Sequence, residues 1–145
     1  MKSSAVESGE SVAMTRTLSS DEVSPFARLS GDENPIQHDL HAAHQANFER
    51  LVVSGPQLSS LLMGMTATHF SKPGSNRIKR SMLGLDFRFK FRQAVLADEL
   101  LEFHWQVVSV RPKPSLGGDL VFLAGRIRTS SGKDAVKAVG KVLVR

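Results

Sequence analysis

No cysteine occurs among the 145 residues. Disulfide cross-links and thiolate nucleophiles are therefore excluded, and the composition fits a reducing, cytoplasmic setting. No apolar run approaches the ~20 residues that a bilayer-spanning helix needs, so no membrane partner is expected. The N-terminus lacks a basic stretch followed by an apolar one, and no secretory leader is expected there. Zinc-finger spacing, a helix-turn-helix pattern and interleaved basic and aromatic residues are also missing, which argues against a nucleic-acid partner.

The residues present suit one soluble domain with a single core, since 41% are hydrophobic and 23% charged. The net charge of +5 is unevenly spread. Residues 1–71 carry four Lys/Arg against eight Asp/Glu, whereas residues 72–145 carry fifteen against six. A basic second half attracts phosphorylated ligands or an acidic carrier, although Lys and Arg also serve as ordinary solvent-facing residues of strands.

Residues 1–10 are rich in Ser and Glu and read as a mobile tail, leaving 11–145 as the domain. Val12 to Leu18 suits a short strand. Ser19-Ser20-Asp21-Glu22 is a helix start, with a hydroxyl cap and acids in the first turn. Gly31 ends that helix, and Asp32 to Ile36 forms a tight loop because the residue before proline disfavours helix. Leu40 to Phe48 suits a second short helix. Ser54-Gly55-Pro56 opens a third, in which Leu58, Leu61, Leu62 and Met65 share one face. From residue 85 onward the pattern is β. Leu85, Phe87, Phe89 and Phe91 alternate with Asp86, Arg88 and Lys90, and Leu101, Phe103, Trp105 and Val107 alternate likewise. Pro112-Lys113-Pro114, Gly117-Gly118 and Ser131-Gly132 mark turns, so successive strands run antiparallel.

One apolar face of such a sheet must be covered, and only residues 56–70 offer a long apolar-striped helix. The expected architecture is α+β, a curved antiparallel sheet wrapped around one central helix. An open edge strand would pair with its copy, so a homodimer or higher homo-oligomer is expected.

Ser30-Gly31-Asp32-Glu33-Asn34-Pro35-Ile36, led in by Phe26-Ala27-Arg28-Leu29, resembles the signature of the MaoC-like (R)-specific enoyl-CoA hydratases, which are hot-dog domains. The order of later elements is similar too: Phe48, Val52-Val53, Gly55, the central helix, and a strand ending at Val95-Leu96-Ala97-Asp98. The resemblance covers roughly residues 12–145. It implies a hydratase or dehydratase of enoyl or 3-hydroxyacyl thioesters, with CoA or phosphopantetheine carried by the substrate and no separate cofactor. The family pairs an Asp with a His. The Asp matches Asp32, whereas Gln37 stands directly after Ile36 where the His belongs. The family's His-Gly at the start of the central helix is Ser54-Gly55 here.

Hydration of an α,β-unsaturated thioester needs a base for water, a proton donor at Cα, and backbone donors for the enolate oxygen. Gly55, at a helix start and without a Cβ, suits the donor role, and Ser54 flanks it. Asp32 either handles the water or simply caps its turn. Asn34 braces the loop or contacts the substrate. Gln37 can orient a water but does not titrate near neutral pH. His38 is the alternative imidazole, although adjacent side chains of an extended segment face opposite ways. His38, His41 and His44 are too widely splayed on a helix for one metal ion, so no metal is expected. Arg77, Lys79 and Arg80, with Lys72, are candidates for coenzyme A phosphates or an acidic carrier protein. Two functions remain open. One is a MaoC-like hydratase or dehydratase. The other is a catalytically altered or inactive hot-dog protein that binds acyl thioesters or performs other thioester chemistry, such as double-bond isomerisation.

Overall fold

Two glycine turns in the second half of the chain decide the topology. A computed structural model describes residues 4–145. Its strands are β1 (Ser11–Arg16), β2 (Met82–Phe91), β3 (Leu101–Lys113), β4 (Gly118–Thr129) and β5 (Asp134–Val144). Its helices are α1 (Ser20–Leu29), α2 (Leu40–Gln45) and α3 (Gly55–His69). β3 turns into β4 through Gly117 at φ 69°, and β4 into β5 through Gly132 at φ 83°. Both lie in the left-handed region that glycine enters without a Cβ clash. The sheet order is β1-β3-β4-β5-β2, and every pairing is antiparallel.

The alternation of β3 buries Leu101, Phe103, Trp105 and Val107 against α3, which contributes Leu58, Leu62 and Met65. The indole of Trp105 donates from Nε1 to the Leu62 carbonyl at 2.8 Å. Beneath the ring the sheet is bare: a Cβ on Gly125 would lie 2.5 Å from the indole, and one on Gly140 would lie 2.8 Å from the Phe87 ring. Phe87 meets Trp105 edge-to-face at 5.9 Å. The result is the expected α+β hot-dog arrangement, one sheet curved around one helix.

Details depart from the sequence reading where backbone chemistry intervenes. α2 stops at Gln45 rather than Phe48, because Asn47 adopts φ 67°. There the Phe48 and Asn47 N–H groups turn back to the Ala43 and His44 carbonyls, a glycine-type termination that Asn also supports. In β2 the alternation is broken by a bulge between Gly84 and Asp86. It sets Gly84 and Phe87 on the same face, where a Cβ on Gly84 would lie 2.9 Å from the Phe87 ring.

The mobile tail is corrected for residues 4–10, while residues 1–3 lie outside the described residues. Val6 is buried in the core. Ser4 Oγ donates to Asp119 at 3.0 Å, and the Gly9 N–H donates to the Val107 carbonyl at 2.9 Å. The Glu10 carboxylate meets Arg80 Nη1 at 2.9 Å and His69 Nε2 at 2.6 Å. Arg80 is buried, donates further to the carbonyls of Ala5, His69 and Lys72, and stacks on Phe70. Its expected role at substrate phosphates is therefore corrected: its guanidinium faces inward and clamps the N-terminal segment. Removing one partner of a buried ion pair strands the other charge, which typically costs about 3–5 kcal/mol. Glu10→Ala is expected to lose about that much in urea unfolding, and considerably more than Glu7→Ala at the exposed neighbouring position.

Candidate active site

The Asp32 loop is built from the start of α1 onward. The Glu22 carboxylate accepts from the Ser19 N–H at 2.9 Å and pairs with Arg16 at 2.7 Å. The Ser19 N–H bond, followed by the Arg16 guanidinium, holds the Glu22 carboxyl below the ordinary glutamate range. At the other end Gly31 takes φ 76°, and the Asp32 N–H returns to the Ala27 carbonyl at 2.8 Å.

Beyond this point the side chains hold the loop together. Asp32 Oδ1 accepts from the Asn34 N–H at 2.9 Å, and Asn34 Oδ1 from the Ile36 N–H at 3.4 Å. Pro35–Gln37 then forms one 3-10 turn. His38 reaches back across the loop, with Nε2 2.6 Å from the Asp32 carbonyl and Nδ1 2.7 Å from Ser24 Oγ. A carbonyl only accepts, so Nε2 carries a proton, and in the neutral ring Ser24 donates to Nδ1. Both ring nitrogens of His38 are thus engaged in strapping the loop to α1. Asp32 and His38 line a cavity of about 400 Å³ with Arg28, Gly31 and Glu33. Gln37 is 6% exposed, and its Oε1 is buried without a hydrogen-bond donor among the described residues.

The second half of the site is the start of α3. Val53 N–H donates to the Val95 carbonyl and Ala97 N–H to the Leu51 carbonyl, both at 2.8 Å, laying residues 51–53 beside 95–97. Ser54 is buried, and its Oγ accepts from the Gln57 N–H at 3.3 Å, capping α3. Its hydroxyl is engaged in that cap. A Cβ on Gly55 would stand 3.1 Å from the Phe91 ring. Gly55 lines a second cavity of about 400 Å³ with Val53, Leu58, Phe91 and Gln93. Asp32 and Gly55 therefore open onto separate cavities within one chain. The two halves are joined by the Val52 N–H, which donates to the Ile36 carbonyl at 3.0 Å, and by the Gln57 side chain, which donates from Nε2 to the Glu22 carbonyl at 3.3 Å.

Arg77 and Lys79 are exposed and lie before the Met82 end of β2, whereas Gly55 lies against Phe91 at the opposite end. Lys79 opens onto a separate cavity with Ile78, Pro112 and Lys113. His41 is exposed and His44 contacts the Glu49 carbonyl, so neither joins His38. Sequence reasoning missed Ser24 and Phe91. No spacing rule connects position 24 to 38 or 91 to 55, because each pair meets only through tertiary structure.

The family described as the MaoC like domain matches residues 4–116. The chain belongs to this family. Among its relatives, an (R)-specific enoyl-CoA hydratase of Aeromonas caviae is 27% identical over 146 residues, covering 100% of this chain and 98% of its own length. A mitochondrial 3-hydroxyacyl-[acyl-carrier-protein] dehydratase of Arabidopsis thaliana is 32% identical over 94 residues, which are 64% of this chain but only 51% of that protein. Among solved structures, the (R)-hydratase from A. caviae involved in PHA biosynthesis superposes with a TM-score of 0.82 at 26% identity, covering 97% of this chain and 98% of that one. The MaoC-like fold is thus shared over nearly the whole length of both chains.

Two outcomes follow for this MaoC-like loop. His38→Ala removes two hydrogen bonds and should lower stability by about 1–2 kcal/mol in chemical denaturation, with Ser24→Ala lowering it by roughly half as much. The lowered Glu22 carboxyl stabilises the fold above the ordinary glutamate range, and that contribution disappears as pH falls through the lowered value. Melting temperatures measured from neutral to acid pH should therefore fall less steeply in Glu22→Gln than in the native protein.

Proposed function

We propose that the protein adds water to, or removes it from, acyl thioesters carried by coenzyme A or by an acyl carrier protein. The observation that supports this most is the hydrogen bond from the Val52 N–H to the Ile36 carbonyl. It pins the Asp32–Gln37 loop beside the segment that leads into Gly55 and α3. A carboxylate and a helix start are thereby held by the same rigid frame, and a thioester that uses both must bridge their two cavities.

In hydration, Asp32 accepts a proton from the attacking water as its oxygen bonds to Cβ. Negative charge gathers transiently on the thioester oxygen, and the Asp32 carboxyl then returns the proton it has taken to Cα, which regenerates the carboxylate. The Gly55 N–H at the N-terminus of α3 is the donor for that oxygen, aided by the helix dipole. Gln37 orients the water: its buried Oε1 has no donor among the described residues, and a water hydrogen would supply one. Asn34 acts by bracing the loop. No cofactor is needed beyond the substrate's own coenzyme A or phosphopantetheine, and the setting is cytoplasmic.

The protein works as a homodimer. β1 and β2 are the two edges of the sheet, and β2 carries exposed Leu83, Leu85 and Phe91. Pairing two β2 edges covers these side chains and satisfies the free backbone groups.

Gln37 also supports a second reading, in which thioesters bind but hydration is lost or replaced by double-bond isomerisation. An amide cannot exchange a proton with substrate as an imidazole does, and general acid-base catalysis is worth ~10²–10⁴-fold. Loss of the enoyl absorbance of crotonyl-CoA separates the two. Hydration that falls at least ~10²-fold in Asp32→Asn establishes the hydratase. No hydration by the native chain, with hydration gained in Gln37→His, establishes the second reading.

A further inference from the structure

We infer that the cleft between β1 and α3 is a second binding site, which takes a medium-chain fatty acid as its carboxylate. It is separate from the Asp32 and Gly55 cavities and does not depend on the thioester reading.

The cleft comes from the way the edge strand meets the helix. β1 turns Val12, Met14 and Arg16 inward and leaves Ser11, Ala13 and Thr15 exposed. Glu10, just before the strand, meets His69 at the end of α3. Glu22, beyond the strand, accepts at its carbonyl from Gln57 near the start of α3. β1 therefore runs antiparallel to α3, yet the two do not close on each other. Between them lies a cavity of about 390 Å³, lined by Val12 and Met14 on the strand and by Leu61, Gly64 and Met65 on the helix. That size falls in the range of small-molecule sites.

Gly64 keeps the cleft open. Glycine in the middle of a helix is less stable there than alanine. Packing does not explain its presence, because a Cβ on Gly64 would point into open space, with nothing within 4 Å among the described residues. Gly64 also follows Gly55 by about two and a half helical turns, which places the two glycines on opposite sides of α3. Gly55 faces Phe91 on β2, and Gly64 faces β1. The two cavities share no lining residue.

Charge selects the occupant. None of the described residues lining the cleft is acidic. Arg16 at one end is paired with Glu22, and His69 at the other with Glu10. Lys72, beside His69, is exposed and has no ion-pair partner among the described residues. An apolar slot with one uncommitted cation at its mouth matches an unbranched chain that ends in a carboxylate. The lining stretch of α3, from Ser60 to His69, is about 14 Å long, which suits an extended decanoate chain with its carboxylate at Lys72.

Titration calorimetry with decanoate, octanoate and octanol tests this. Decanoate is expected to bind at one site per chain, and affinity to fall about fourfold for each methylene removed. Octanoate is expected to bind about fivefold more tightly than octanol, which lacks the anion. Lys72→Met keeps an apolar stem and should erase that difference. Gly64→Leu fills the cleft with a better helix former, so the melting temperature should rise by a few degrees while decanoate weakens ~10-fold or more. Gly64→Ala, which adds one methyl, carries the same two signs at smaller size. Asp32→Asn is expected to leave decanoate binding unchanged, because Asp32 opens onto another cavity. Absence of binding by the native chain, or binding that Gly64→Leu leaves intact, overturns the inference. So does binding lost in Asp32→Asn, which would put the fatty acid in the thioester site. A second copy covering the cleft gives a further contrary outcome: no decanoate binding, and an assembly that Gly64→Leu breaks up in sedimentation velocity. Hydration of crotonyl-CoA enters none of these results, so failure here leaves the hydratase reading standing.

Discussion

The height at which the central helix rides above the sheet is set by one indole. Trp105 fills the layer between them, anchors α3 by donating to the Leu62 carbonyl, and rests on strands stripped of side chains at Gly125 and Gly140. A bulkier residue at either glycine would push into a ring, and a smaller one at 105 would leave a void lined by apolar groups, which close-packed interiors tolerate poorly. The position of Gly55 therefore depends on a contact two turns of helix away. The start of α3 meets Phe91 only because the body of α3 is held down by Trp105.

A second dependence follows from the first. Once α3 is fixed, the segment Leu51–Val53 is laid against Val95–Ala97, and the Val52 N–H is aimed at the Ile36 carbonyl. The loop on the other side of that bond is held by its own short side chains, with Asp32 serving Asn34, Asn34 serving Ile36, and His38 serving the Asp32 carbonyl. Each link is a hydrogen bond of modest net worth, about 1 kcal/mol. Together they leave the loop little freedom, and pre-organisation of this kind is what a site must supply before chemistry begins.

Much of this architecture was legible in the residues. The alternation of Leu101 to Val107, the Ser54-Gly55-Pro56 start and the Gly117 and Gly132 turns each report a local rule of backbone chemistry, and local rules can be read from a sequence. The loop motif was legible because its bracing is also local, with Asp32 and Asn34 each bonding two residues ahead. What could not be read was anything settled by distant partners. The Ser and Glu of the first ten residues look like a disordered tail by composition, yet Glu10 is fixed by Arg80, seventy positions away. For the same reason Arg80 looked like a surface cation. The β2 bulge was hidden because Leu85 preserves the apolar alternation in letters while the backbone slips by one residue.

The pairing of β1 with β3 bears on how the chain acquires its fold. Ser11 lies opposite Gln106, and Arg16 opposite Leu101, so β1 has no partner until synthesis has reached residues 101–106. During that interval β1 and the segment before it are an unpaired apolar edge, the kind of surface that aggregates or is shielded by chaperones. The long loop that closes when β1 docks makes this a non-local and therefore slow event. The Glu10–Arg80 clamp is a latch that retains a strand whose own pairing is one-sided.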